Sequence, residues 1–172
     1  MYDALGALAV VQAAGGDLEK AVQTIETVQP AAGRGHSFDI TLDDKHITII
    51  DDCYNANPSS MRASLAALGL RMGKRKIAVL GDMLELGDLG PDMHAGLAEV
   101  ILKAGIASVH TVGPLMQHLW QALPADKRGL SVSAVTDLIP ALYDHLQDGD
   151  IVLVKASHGM NLAALISDLK GK

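Results

Sequence analysis

The spacing of apolar positions along this chain changes character between its first fifty residues and the remainder. Over residues 1–14, Leu5, Leu8, Val11 and Gln12 fall at helical spacing, and Gly15-Gly16 ends the run. Asp17 is placed to cap a second helix that reaches about Val28 and stops before Pro30. The small residues Ala31 to Gly35 then read as a flexible hinge. From His36 to Leu42 and from Lys45 to Ile50 apolar and polar residues alternate around Asp43-Asp44, which predicts a β-hairpin. The stretch Asp51 to Pro58 is polar and turn-prone, and a helix resumes over Ser60 to Leu70.

Beyond that point short aliphatic runs alternate with helical stretches. Strands are expected at Lys76–Leu80, Ala107–Val112, Leu130–Val132 and Ile151–Val154. Helices are expected at Pro91–Ala104, Pro114–Leu123, Ala134–Leu146 and from about Asn161 onward. Such alternation predicts an α/β fold: a Rossmann-like, doubly wound, mostly parallel sheet with helices on both faces and the hairpin leading into it. The helical segment 1–29 reads as separate from a domain spanning 30–172. Ligands of such sheets sit beyond the carboxyl ends of the strands. The loops Asp51–Pro58, Gly81–Gly87 and Lys155–Gly159 all follow strands, so all three can share that edge.

Composition narrows the classes. The 172 residues suffice for one full domain with its own core. Hydrophobic residues make up 49% but aromatics only 3%, so Ala, Leu, Val and Ile must build the core, as in buried parallel strands. A net charge of −6 with no basic block argues against a nucleic-acid or anionic-membrane partner. No apolar run approaches the roughly 18 residues of a membrane helix. The apolar start lacks a basic n-region and carries Asp3, so no signal peptide is expected; the chain reads as beginning in mid-helix. A single cysteine, Cys53, cannot form an internal disulfide, which fits a reducing cytosol.

Several chemistries lack their residues. Gly69 to Arg75 does not have the P-loop spacing or its hydroxyl, there is no G-x-G-x-x-G, and the seven histidines make no H-E-x-x-H. Neither a metal site nor a catalytic residue is therefore expected within the chain. The adjacent carboxylates Asp51 and Asp52 admit two readings. They are either acids that await a cation, hydroxyls or a basic group, or solvated turn residues, one of which caps the next helix. Asn55 and Asn57 can equally shape the turn, with Pro58 starting the helix. Asp82 and Glu85 read as charges on an exposed loop. Arg34 between two glycines is either a bare hinge residue or a phosphate clamp. Lys155, emerging from an apolar strand, calls for an acidic partner. His94 falls on an amphipathic helix, where a surface or half-buried place is the default.

Taken together, these segments resemble one family. Asp51-Asp52-Cys53-Tyr54-Asn55-Ala56-Asn57-Pro58-Ser59-Ser60-Met61 is similar to the D-D-S-Y-N-A-N-P-x-S-M stretch of those Mur ligases that add D-alanyl-D-alanine. Gly81-Asp82-Met83-Leu84-Glu85-Leu86-Gly87, with His94 after it, resembles their G-D-M-x-E-L-G loop and histidine. Gly33-Arg34 resembles their G-R hinge, and Asp3-Ala4-Leu5 falls where an N-A-L-A-A helix closes their central ATPase domain.

The resemblance implies a three-domain cytoplasmic ligase of peptidoglycan synthesis, acting as a monomer on small molecules. In it ATP phosphorylates the terminal carboxylate of UDP-MurNAc-tripeptide, and the amine of D-Ala-D-Ala attacks the acyl phosphate. Residues 1–29 would be the helical tail of the central domain, which holds most of the Mg2+ site, and residues 30–172 the C-terminal domain. By that analogy Arg34 contacts ATP phosphates and Asp52 accepts from the ribose hydroxyls. Tyr54, Asn55 and Asn57, with Lys155, Ser157 and His158, would line the side of the cleft that takes the nucleophile. Alone, the chain is expected to be inactive. Three positions depart from the pattern: Cys53 for a serine, His158 where an arginine is common, and Asp3 for an asparagine that contacts adenine. Two rivals are a Mur ligase adding meso-diaminopimelate, whose Asp-Asn-Pro-Arg is missing, and a phospho-receiver-like module, whose acids and lysine Asp51, Asp52, Asp82 and Lys155 mimic.

Overall fold

A computed structural model describes residues 2–28 and 31–171. They form two compact units, residues 1–30 and 31–172. Gln29 and Pro30, where the expected boundary falls, lie outside the described residues, as does the side chain of Asp3. The first unit is a helix pair, α1 (Tyr2–Ala13) and α2 (Leu18–Thr27), and the Asp17 carboxylate caps α2 by accepting from Lys20 N–H at 3.0 Å.

The second unit runs β1 (His36–Leu42), β2 (Lys45–Asp52), α3 (Pro58–Gly69), β3 (Arg75–Gly81), α4 (Gly90–Ala95), α5 (Ala98–Lys103), β4 (Ser108–Val112), α6 (Met116–Ala122), β5 (Arg128–Val132), α7 (Val135–Leu142), β6 (Asp150–Lys155) and α8 (Ala163–Lys170). The six strands make one sheet in the order β1-β2-β6-β3-β4-β5. The β1–β2 hairpin is antiparallel and every other pairing is parallel. Alternation along the buried strands serves both faces. Ile77 and Val79 of β3, with Val152 and Val154 of β6, pack under α7 and α8. Ala78 and Leu80, with Ile151 and Leu153, pack under α3, α5 and α6. Among the described residues no helix is long and apolar enough to cross a membrane.

The expected α/β architecture is present, with three local differences. The expected helix Pro91–Ala104 is broken between α4 and α5, where Gly96 has poor helix propensity and a Cβ would lie 3.1 Å from the Arg62 guanidinium. Strand β2 continues past Ile50 through Asp52, so both acids belong to the strand and not to the turn. Residues 33–35, expected as part of a flexible hinge, are fastened to the end of β2. Gly33 N–H donates to the Asp51 carboxylate at 3.0 Å, Gly35 N–H to the Asp51 carbonyl at 2.8 Å, and Tyr54 N–H to the Gly33 carbonyl at 3.0 Å.

Three strands matter for the site. β2, β6 and β3 are neighbours and parallel, so the loops that follow them emerge side by side at one sheet edge. The direction of winding also reverses here, since β6 returns between β2 and β3, the place where such sheets leave a crevice.

Candidate functional site

Successive residues of a strand face opposite sides, and this resolves the apparent repulsion of the two acids. Asp51 turns inward, 3% exposed, and accepts from Gly33 N–H at 3.0 Å, the Cys53 thiol at 3.0 Å and Cys53 N–H at 3.4 Å. Asp52 turns toward α3. Its Oδ2 accepts from the Ser64 hydroxyl at 2.6 Å and from Lys155 Nζ at 2.8 Å. The strand register makes that ion pair, because Asp52 lies directly opposite Lys155 in the β2–β6 ladder. Lys155 thus has its acidic partner, and it also donates to the Asn55 carbonyl at 3.0 Å. The reading of these acids as solvated turn residues fails, and neither caps α3. Asn57 does, in a capping box with Ser60. Burial, then the neighbouring Asp51 carboxylate, push the Cys53 thiol up to about 12.

The loop after β3 is likewise anchored. Asp82 is 2% exposed, not a solvated loop charge, and its carboxylate accepts Leu115 N–H at 3.2 Å and Met116 N–H at 2.7 Å, at the start of α6. Gly113 makes room for it, with φ +110° and a hypothetical Cβ only 2.5 Å from the Asp82 Cγ. His94 is fully buried, against the expectation of a surface or half-buried place. Its Nδ1 donates to the Gly90 carbonyl at 2.6 Å while Nε2 accepts from Met83 N–H at 2.9 Å, so the neutral ring ties α4 to the loop. Ser157 bridges the remaining gap: its hydroxyl accepts from Leu84 N–H at 3.0 Å and donates to the Ala56 carbonyl at 3.3 Å.

Held in this way, the three loops enclose two adjoining clefts. The first, of about 520 Å³, lies between Tyr54–Asn57, Leu84–Leu86 and Ser157–Gly159. The second, of about 220 Å³, is lined by Gly33, Arg34, Asp52, Lys155 and Ser60, and shares Tyr54, Asn55 and Asn57 with the first. Tyr54, half exposed, is the partition. The Arg34 guanidinium lies 4.1 Å from the centre of its ring, in cation–π range, and the His158 ring lies 6.0 Å from it. All eight residues singled out from sequence therefore border one cleft or the other: Arg34 and Asp52 in the second, Ser157 and His158 in the first, Tyr54, Asn55 and Asn57 in both. Lys155 borders the second, beside Asp52, and not the first. One participant was missed: Ser64 holds Asp52, and its only sequence signal is that it follows Ser60 by one helical turn. Glu85, read as a charge on an exposed loop, is exposed, and it borders the first cleft with φ +65°.

The profile of the Mur ligase, glutamate ligase domain, matches residues 38–158. The chain belongs to this family. The UDP-N-acetylmuramoyl-tripeptide–D-alanyl-D-alanine ligase of Synechocystis is 33% identical over 168 residues, covering 96% of this chain and 36% of the relative. Among solved structures, MurF from Acinetobacter baumannii superposes with a TM-score of 0.80 at 29% identity, over 98% of this chain and 36% of that one. MurF ligase from Thermotoga maritima, solved in complex with ADP, shares the fold with a TM-score of 0.76 at 24% identity, over 95% and 36% of the two chains. The chain spans about a third of the length of the curated relatives it matches. The phospho-receiver alternative falls with this membership, and with the geometry. Asp82 is spent on the α6 backbone, and Asp51 and Asp52 point to opposite faces.

Proposed function

We propose that this chain is the C-terminal domain of a cytoplasmic, monomeric ligase that uses ATP to join D-alanyl-D-alanine to UDP-MurNAc-tripeptide in peptidoglycan synthesis. Residues 1–29 are then the helical tail of the central ATPase domain. One observation carries the reading: the partition at Tyr54 sets Arg34, Lys155 and Asp52 in one cleft against Glu85, Ser157 and His158 in the next, with Asn55 and Asn57 bordering both. A nucleotide bound on one side and an amine on the other would meet at that ring.

The chain's own residues fit one wall of a nucleotide site. ATP supplies the phosphoryl group that activates the carboxylate. Arg34, already lodged on Tyr54, offers a guanidinium to phosphate oxygens. Asp52 takes two donors on Oδ2, and a carboxylate accepts about four, so it has capacity for ribose hydroxyls. Lys155 beneath it holds that carboxylate in place at 2.8 Å. Mg2+ would be held mainly by the central domain, as the family resemblance implies. One wall of a cleft recovers little of the binding energy of two, so this chain alone neither binds ATP tightly nor ligates.

The test uses the protein together with the upstream domains its relatives carry. Phosphate release from ATP should require both UDP-MurNAc-tripeptide and D-alanyl-D-alanine. Release that proceeds equally with meso-diaminopimelate or D-glutamate in place of the dipeptide would overturn the assignment.

A further inference from the structure

Glu85 is the acidic side chain among the residues bordering the first cleft, and no lysine or arginine borders it there. Among the described residues no ion pair or hydrogen bond engages its carboxylate. Its backbone stands at φ +65°, a conformation that L side chains other than Asn and Asp seldom adopt. A glycine would take that conformation without strain, so the carboxylate is presented at a conformational cost. The surrounding loop dictates the conformation: Met83 N–H is held by His94, Leu84 N–H by Ser157, and Asp82 by the start of α6. An exposed, unpaired acid on an anchored loop, at the border of a cleft that also has amides, a hydroxyl and an imidazole, suits a small cation that carries several N–H donors.

We propose that Glu85 receives the ammonium group of the incoming amine and so selects a dipeptide whose amino terminus is free. The inference rests on the first cleft being the amine's side of the reaction.

The experiment is an NMR titration of the 172-residue chain, as wild type, Glu85→Gln and Glu85→Asp, with D-alanyl-D-alanine and with its N-acetyl derivative. The free dipeptide should shift the amides of Tyr54, Leu84 and His158. N-acetylation should weaken binding to the wild type about fivefold, the scale of a partly exposed ammonium–carboxylate contact. Glu85→Gln should weaken the free dipeptide by the same factor and leave the N-acetyl form within about twofold. Glu85→Asp, a carboxylate on a shorter arm, should fall between. A purely structural role would weaken both ligands alike. If Glu85→Gln still prefers the free amine as the wild type does, Glu85 is not the recognition group while the cleft assignment stands. If neither ligand shifts the cleft amides at millimolar concentration, the cleft assignment fails and this proposal with it.

Discussion

Strand β6 begins and ends in an ion pair, and the two pairs are built differently. At its start Asp150, wholly buried, takes Nε and Nη2 of Arg75 at 2.8 Å each and Gln147 N–H at 2.8 Å. Arg75 also donates to the His145 carbonyl at 2.9 Å. At its end the burial is inverted: the Lys155 side chain is 3% exposed and the Asp52 side chain 20%. The first pair is a planar fork on a fully buried carboxylate that takes three donors. The second is a buried point charge beneath an acid that still reaches the second cleft. A buried three-donor network fixes the strand ends. A carboxylate anchored from below but reachable from the cleft can accept a ligand's donors without losing its place.

Removing Asp150 tests the closed pair and should have the largest effect. Asp150→Ala strands the Arg75 guanidinium and Gln147 N–H, which should lower unfolding stability by about 3–4 kcal/mol. Asp52→Ala should lower it by only about 1–2 kcal/mol, because water entering from the second cleft can solvate Lys155. Urea midpoints at unchanged slope would report both. Equal losses would erase the distinction between the two ends.

The region around Arg75 should also be the acid-sensitive one. His110 is 1% exposed, and its Nδ1 accepts Leu130 N–H at 3.1 Å. Burial, then His145 and Arg75, lower its pKa from 6.5 to about 4. The unfolded chain binds a proton there near its ordinary value while the folded chain resists until about 4. Stability is therefore complete above that ordinary value and is lost as pH falls through the interval, by up to about 3 kcal/mol at its acid end. Urea midpoints between about pH 7 and about pH 4 should flatten in His110→Gln. A parallel slope in the variant would remove His110 as the cause.

These elements were not equally legible in the sequence. The hairpin, the alternating strands and the convergence of three loops follow from apolar periodicity and chain direction, which are local properties. The placement of Asp51, Asp82 and His94 does not. A polar residue in a loop looks solvated until its backbone partners are known, and those partners lie far along the chain, as with Asp82 and Met116. Motif resemblance pointed to the loops that border the two clefts but not to which side chains are spent internally. Asn57 caps α3 and Ser157 bridges two loops, so both shape the cleft they border.

In the complete ligase the open end of β6 should show itself kinetically. On the proposed reading Arg34 would supply charge beside the phosphate as it moves, so Arg34→Ala should lower kcat about 10²-fold. Asp52→Asn should raise the KM for ATP more than it lowers kcat, since ribose contacts are the same in ground and transition states. Asp51 is not a neutral control, because it holds the N–H of Gly33 beside Arg34. Asp51→Ala should therefore reproduce part of the Arg34→Ala loss, whereas Asp150→Ala should leave kcat unchanged in the protein that remains folded. Near-normal kinetics in both Arg34→Ala and Asp52→Asn would remove the functional half of the comparison.

The smallest effect is expected at Cys53, and it separates Asp51 from Asp52 most finely. The thiol donates to Asp51 Oδ1 at 3.0 Å and is buried, with a pKa near 12. Cys53→Ser keeps a donor of similar reach and strengthens it, but places a hydroxyl in a site packed among apolar groups. These terms oppose, so stability should change by less than about 0.5 kcal/mol. Cys53→Ala removes the donor while Gly33 N–H and Cys53 N–H remain on Asp51, which should cost about 1 kcal/mol. With so little thiolate at neutral pH, alkylation of Cys53 should be slow in the folded chain and should follow unfolding in urea. Rapid alkylation without denaturant would mean that the Asp51 side of β2 is open to solvent, and the inward and outward acids would no longer differ in kind.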